Sequence, residues 1–221
     1  RWPGPGPYAP PPALGGGIVA WAAAPFWYAG GIRDAVHRAK YGGQPWTAVQ
    51  LGCALAGRLF GAEIRVRAGV EVPVPLAVPP VDCDLIVPVP SSGRGRSCNV
   101  PALLGMPLAH ALGIPLDETA LRRTRKGRAQ AGLTREERLV NAAGLFRADP
   151  DRAAGRRVLL VDDVITTGAT AAACARALTA AGAEWVAVAG LAASRQNHTL
   201  PARPGQPFDL DDAPGEAEDF V

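Results

Sequence analysis

The chain has 221 residues, of which 48% are hydrophobic and 19% charged, with a formal net charge of +3, a balance that excludes a fibrous or intrinsically disordered protein. A chain of this length can bury roughly 70% of its unfolded surface around one core. The charge is unevenly placed: six acids (Asp209, Asp211, Asp212, Glu216, Glu218 and Asp219) and no base follow Gly205, and taking these six from the 20 acids leaves 14 against 23 bases, so the body favours polyanions such as phosphates or nucleic acid.

Residues 1–17 are rich in Pro and Gly and carry no period, which reads as an irregular arm. Residues 13–32 carry no charge, but Gly15, Gly16, Gly17, Pro25, Gly30 and Gly31 interrupt them and no basic flank precedes them, so buried structure is expected rather than membrane insertion. A strand is predicted over 18–26. Ile32, Ala35, Val36 and Ala39 then recur at helical spacing up to the stop signal Gly42-Gly43, and a second helix is predicted from Trp46 to Phe60. Together these form an N-terminal cap or hood region over 18–80.

From residue 81 to 200 strands and helices alternate as in an open parallel sheet. The apolar run 85–90 is a strand that leads into the turn 91–96, and Asn99 is placed to cap a helix reaching Leu112, with Pro101 in its first turn. A strand over 116–121 is followed by a basic loop through Arg138. Strand 157–162, helix 169–181 and strand 185–191 complete the core. The stretch 201–221 reads as an acidic, disordered tail. Cys53, Cys83, Cys98 and Cys174 are spread singly, with no C-x-x-C pair. They are expected to be reduced, in a cytoplasmic protein, and no zinc is expected.

The stretch 158–170 carries the chemistry. Val158 to Val161 form a strand buried on both faces, so the chain emerges where open parallel sheets place their ligands. Asp162 and Asp163 follow, and adjacent carboxylates suit the two vicinal hydroxyls of a ribose. Thr166, Thr167, Gly168, Ala169 and Thr170 then open a helix: hydroxyl donors, a Gly permitting close approach and free backbone N–H groups make a monophosphate cradle. A nucleotide triphosphatase would need G-x-x-x-x-G-K-[ST], and neither of the chain's lysines, Lys40 and Lys126, lies in such a context. A phospho-acceptor receiver domain would place its acid pair after the first strand, not this late.

On these residues the sequence resembles the type I phosphoribosyltransferases, and within them the ComF family of competence-associated proteins. The resemblance extends from about Tyr28 to Leu191 through Lys40-Tyr41, the stretch 85–99, and Gln130, Leu133, Arg138, Asn141 and Phe146. Two features depart from the family: the usual N-terminal cysteine-rich zinc finger is absent, and Arg96-Ser97-Cys98-Asn99 stands where the family tends to show R-G-F-N.

The resemblance implies an α/β fold, an open and mostly parallel sheet with helices on both faces, plus the N-terminal helical cap. It implies phosphoribosyl pyrophosphate (PRPP) as ligand: Asp162 and Asp163 on the ribose, Thr166 to Thr170 on the 5-phosphate, and Ser91, Ser92, Gly93 and Arg94 on the pyrophosphate. Mg²⁺ would be held mainly through PRPP itself. The cations Arg125, Lys126 and Arg128 fall where the family has a mobile loop that closes over substrate or touches nucleic acid. The implied reaction is displacement of pyrophosphate from C1 by a nitrogen acceptor whose identity the sequence does not give. No catalytic residue is assigned, since His37, His110 and His198 are isolated. The alternative is a non-catalytic, PRPP-responsive or single-stranded-DNA-handling protein of DNA uptake, with a helicase-like partner.

Overall fold

The computed structural model describes residues 12–91, 98–124 and 144–194. After a short 3-10 turn at Pro12–Leu14 come β1 (Ala22–Ala23), β2 (Phe26–Trp27), α1 (Gly30–Tyr41) and α2 (Trp46–Phe60). The chain continues with β3 (Ile64–Arg67), β4 (Val70–Pro73), β5 (Leu85–Pro88), α3 (Val100–Leu112), β6 (Leu121–Arg123) and β7 (Phe146–Ala148). It closes with α4 (Pro150–Ala153), β8 (Arg157–Ile165), α5 (Ala169–Ala180) and β9 (Trp185–Ala193).

The central sheet runs β1-β9-β8-β5, with β2 also on β9, and every pairing in it is parallel. Its strands carry continuous apolar runs, 85–88 of β5, 158–161 of β8 and 185–193 of β9, because both faces are covered. The two cores follow from strand alternation. Val158 and Leu160 of β8, Val87 of β5 and Val188 of β9 pack with Ala171, Cys174 and Leu178 of α5. Leu159 and Val161, with Ile86 and Ala187, face Val36 of α1, Leu55 of α2 and Leu104 and Leu108 of α3. Helices therefore lie on both faces; β1 and β2 join the central sheet, α1 and α2 pack into this second core, and β3 with β4 forms a separate antiparallel ribbon.

Helix α2 ends as its sequence requires: Gly61 adopts φ 76°, its N–H returns to the Gly57 carbonyl, and that of Ala62 to the Ala56 carbonyl. Its contact with α3 is close. A Cβ on Gly52 would lie 2.6 Å from the Leu104 carbonyl oxygen and 3.0 Å from the ring of Pro107, so only glycine lets the two helices meet there.

Three expectations are corrected. Asn99 precedes α3, but its side chain makes no cap bond, and its Oδ1 is buried without a partner among the described residues. A cap side chain accepts from the second or third helical N–H. Here the second is Pro101, which has none, and Ala102 N donates to the Asn99 carbonyl instead. The predicted strand over 116–121 is reduced to one parallel bridge between Leu116 and Ile86. The residues after it form a separate antiparallel ribbon, β6 with β7. The predicted strand over 18–26 is two short pieces, β1 and β2, which both pair with β9. Glycines before and Pro25 between them prevent a longer run.

All four cysteines are free, with Cys53, Cys83 and Cys174 buried. Burial pushes the Cys83 thiol up to about 12, with Asp84 and Asp82 adding to it against Arg157. Among the described residues no helix is long and apolar enough to cross a membrane.

Candidate functional site

β8 is longer than its apolar run, ending at Ile165 rather than Asp162. The two acids are therefore strand residues, each below a tenth exposed at 8% and 7%. Alternation sends their side chains to opposite faces of the sheet. Asp162 lies toward α5, where its charge helps burial hold the Cys174 thiol well above its ordinary range. It also turns back to accept a 2.8 Å hydrogen bond from the Asp163 amide. Asp163 faces the α1 side, where Lys40 Nζ reaches Asp163 Oδ2 at 2.8 Å. The two carboxylates are neighbours in sequence with separate surroundings, not a side-by-side pair.

Lys40 is the residue that sequence reasoning missed as a site member. It sits in the last turn of α1, which Val36 and Ala39 anchor in the core, and its side chain is only 13% exposed. The available signal was its rarity: in a chain of 23 bases only two are lysines. A long charged stem at a buried helix end usually has a partner.

The cradle residues come directly after β8. Gly168 takes φ 76° and ψ −1°, the left-handed conformation, as N-cap of α5. Thr166, Thr167 and Thr170 are exposed. Thr167 Oγ1 accepts a long 3.4 Å bond from Ala169 N, and its O–H remains available as a donor. Ile165 anchors the base of the turn, buried and accepting from Ser194 N at 3.0 Å. The turn thus presents three hydroxyls and the amide end of a helix on a fixed strand, which is anion-binding chemistry.

β5 lies beside β8 in parallel, with Pro88 opposite Val161 and Val89 N donating to the Val161 carbonyl at 2.9 Å. Its carboxyl end, and with it the half-buried Ser91, therefore opens on the same edge as Asp162 and Asp163. Ser92, Gly93 and Arg94, and the loop cations Arg125, Lys126 and Arg128, lie outside the described residues. His37 stacks at a tilt on Tyr41, centroids 5.0 Å apart, and His110 lies in the last turn of α3.

The DNA utilization protein YhgH of Salmonella typhi is 34% identical over 142 residues, which cover 63% of this chain and 59% of that protein. The amidophosphoribosyltransferase of Synechocystis sp. is 36% identical over 104 residues, 47% of this chain and 19% of the enzyme. Among solved structures, glutamine PRPP amidotransferase from B. subtilis aligns with a TM-score of 0.41 at 24% identity, covering 65% of this chain and 26% of that one. The chain spans under two thirds of the length of the first of these curated relatives. A family model, the phosphoribosyl transferase domain, matches residues 85–209, more than half of the chain and all of β5, β8, α5 and β9. The chain therefore belongs to the phosphoribosyl transferase domain family and is homologous to the ComF and YhgH competence-associated proteins.

Proposed function

We propose that this chain binds PRPP at the carboxyl ends of β8 and β5 and serves DNA utilisation as a PRPP-responsive domain that does not transfer the sugar. The observation that carries the reading is the succession on one strand-to-helix turn of two buried carboxylates and three exposed threonines around left-handed Gly168. Carboxylates accept from ribose hydroxyls, while threonine hydroxyls and helix amides donate to the 5-phosphate. The pyrophosphate would lie over the turn after β5, from Ser91 to Arg94, under the cations Arg125, Lys126 and Arg128. On this reading residues 81–200 are the PRPP-binding unit, 18–80 its cap and 201–221 an acidic tail.

Mg²⁺ fits this site as a companion of the ligand. Among the described residues there is no group of three His, Cys, Asp or Glu that would hold a metal, and Asp163 is already engaged by Lys40. The ion would be held by pyrophosphate and ribose oxygens, where it would neutralise charge. The nucleic-acid setting rests on the name of the relatives, DNA utilization protein, and on the basic body of the chain. Single-stranded DNA and a helicase-like protein are the partners it points to.

The second reading is transfer, favoured by the likeness to an amidophosphoribosyltransferase. The C1–O bond to pyrophosphate would break as a nitrogen acceptor forms the C1–N bond, with the leaving charge held by the surrounding cations.

Titration calorimetry with PRPP and Mg²⁺ tests the binding. Asp163→Asn is expected to weaken it and Thr167→Val nearly to abolish it, and wild-type affinity in both variants overturns the assignment. Pyrophosphate release measured against a panel of nucleobases separates the two readings. Release no faster than background hydrolysis keeps the binding role, and acceptor-dependent release replaces it with transfer.

A further inference from the structure

We propose that Arg122 and Arg147 form a second phosphate-binding site, on the outer face of the β6–β7 ribbon. Register pairs Leu121 with Ala148, Arg122 with Arg147, and Arg123 with Phe146. Leu121, Phe146 and Ala148 are buried in the α5-side core, whereas Arg122 and Arg147 are exposed. Alternation therefore sets two guanidinium groups directly opposite each other on the solvent face, and like charges so placed destabilise a ribbon. Among the described residues neither has a carboxylate within ion-pair reach.

The surroundings explain why the pair stays uncompensated. The two arginines line an open groove of about 340 Å³ together with Thr119, Asp149 and Pro150. Two acids beside it, Asp117 and Asp149, are already engaged. Asp117 accepts from Arg152 Nη1 at 2.6 Å and from both the amide and the hydroxyl of Thr119 at 2.7 Å. Asp149 accepts from Asp151 N at 3.1 Å, and its Oδ2 lies 3.6 Å from Arg152 Nε. Arg123, on the other face, lies over the Phe146 ring at 5.5 Å. That leaves two rigid, planar forks converging on one groove, a donor set matched to the oxygens of a phosphate group. None of the described residues at the carboxyl ends of β8 and β5 lines this groove, so the site is proposed as distinct from the cradle of Thr166 to Thr170 and does not depend on PRPP binding there.

The phosphate could be free or carried on a polynucleotide, and two arms tell these apart. In the first, the unfolding temperature of the whole chain is followed as sodium phosphate replaces chloride at fixed ionic strength. The wild type is expected to be stabilised. Arg122→Gln/Arg147→Gln is expected to lose most of that rise while starting at an equal or higher temperature in chloride, because the repulsion is gone. In the second, binding of a fluorescent thymidine oligonucleotide is read by anisotropy across salt. A polynucleotide ligand predicts at least a several-fold loss of affinity at low salt in the double variant. The slope of log K against log salt should then flatten by about 1.4, two contacts at roughly 0.7 each on a single strand. Loss of the phosphate response with unchanged oligonucleotide binding assigns the site to a small phosphate. The single variants should each lose part of the effect, and PRPP affinity should be unchanged in all three. An equal phosphate response in wild type and double variant, with an unchanged salt slope, overturns the proposal. A parallel fall in PRPP affinity overturns the separateness of the two sites.

Discussion

Lys40 Nζ lies 2.8 Å from Asp163 Oδ2, and this nearly buried pair ties the last turn of α1 to the carboxyl end of β8. Removing one partner of such a pair strands a charge in a poorly hydrated place, which costs about 3–5 kcal/mol, whereas removing both costs far less. Lys40→Met is therefore expected to destabilise the fold by about 3 kcal/mol, and Lys40→Met/Asp163→Leu to recover most of it. Urea unfolding of the two single variants and the double variant gives the coupling. Additive losses in that cycle would mean that the pair does not act as a unit.

Gly168, at φ 76°, opens α5 in a conformation that a side chain resists by roughly 1–2 kcal/mol. Gly168→Ala should lower stability by about that amount. It should also weaken PRPP binding more than stability, because the turn that presents Thr167 must relax. Calorimetry beside a thermal melt checks both, and intact PRPP affinity in a destabilised variant would separate the turn from ligand binding.

The α2–α3 contact predicts a purely structural loss. A Cβ at Gly52 would meet backbone, the Leu104 carbonyl oxygen at 2.6 Å, which cannot swing aside as a side chain can. Gly52→Ala should cost about 1–3 kcal/mol by overpacking, although alanine is the better helix former. Denaturant unfolding decides the sign, and a stabilised variant would show that the helices can part without loss.

Acid should loosen two contacts beside β5, that of Asp84 with Arg157 at the amino end of the sheet and that of Asp117 with Thr119 and Arg152. Hydrogen bonds from the Arg157 side chain and amide hold the Asp84 carboxyl down at about 2, with Nη2 to Oδ1 at 2.7 Å. Burial opposes ionisation of Asp117, but the donors of Thr119 and Arg152 outweigh it and bring that group also to about 2. Both folded values lie below the usual 3.8. Their contribution is thus fully present above about pH 4 and is lost as pH falls toward 2. Asp84→Asn and Asp117→Asn should flatten stability against pH in that window, measured by chemical unfolding at stepped pH. A wild-type slope in both variants would place the acid sensitivity elsewhere. Asp84 and Arg157 are partly exposed, at 28% each, so added salt should reduce the effect.

The sequence by itself determined the parallel α/β core, because uninterrupted apolar runs such as Val158 to Val161 bury on both faces, and helical periods bounded by Gly42, Gly61 and Gly113 end where those glycines stand. It also located the start of α5 after Gly168, since hydroxyls, glycine and helix start are local and contiguous. The tertiary structure alone decided the rest, where partners are distant in sequence. The extension of β8 to Ile165 depends on pairing with β9, which no local signal reports, and that pairing parted Asp162 from Asp163. The ribbon that faces Arg122 with Arg147 joins segments more than twenty residues apart in sequence. Lys40 became part of the site only because packing of α1 against the sheet carried its ammonium to Asp163. Periodicity fixes which face a residue presents, but not what the fold brings to meet it.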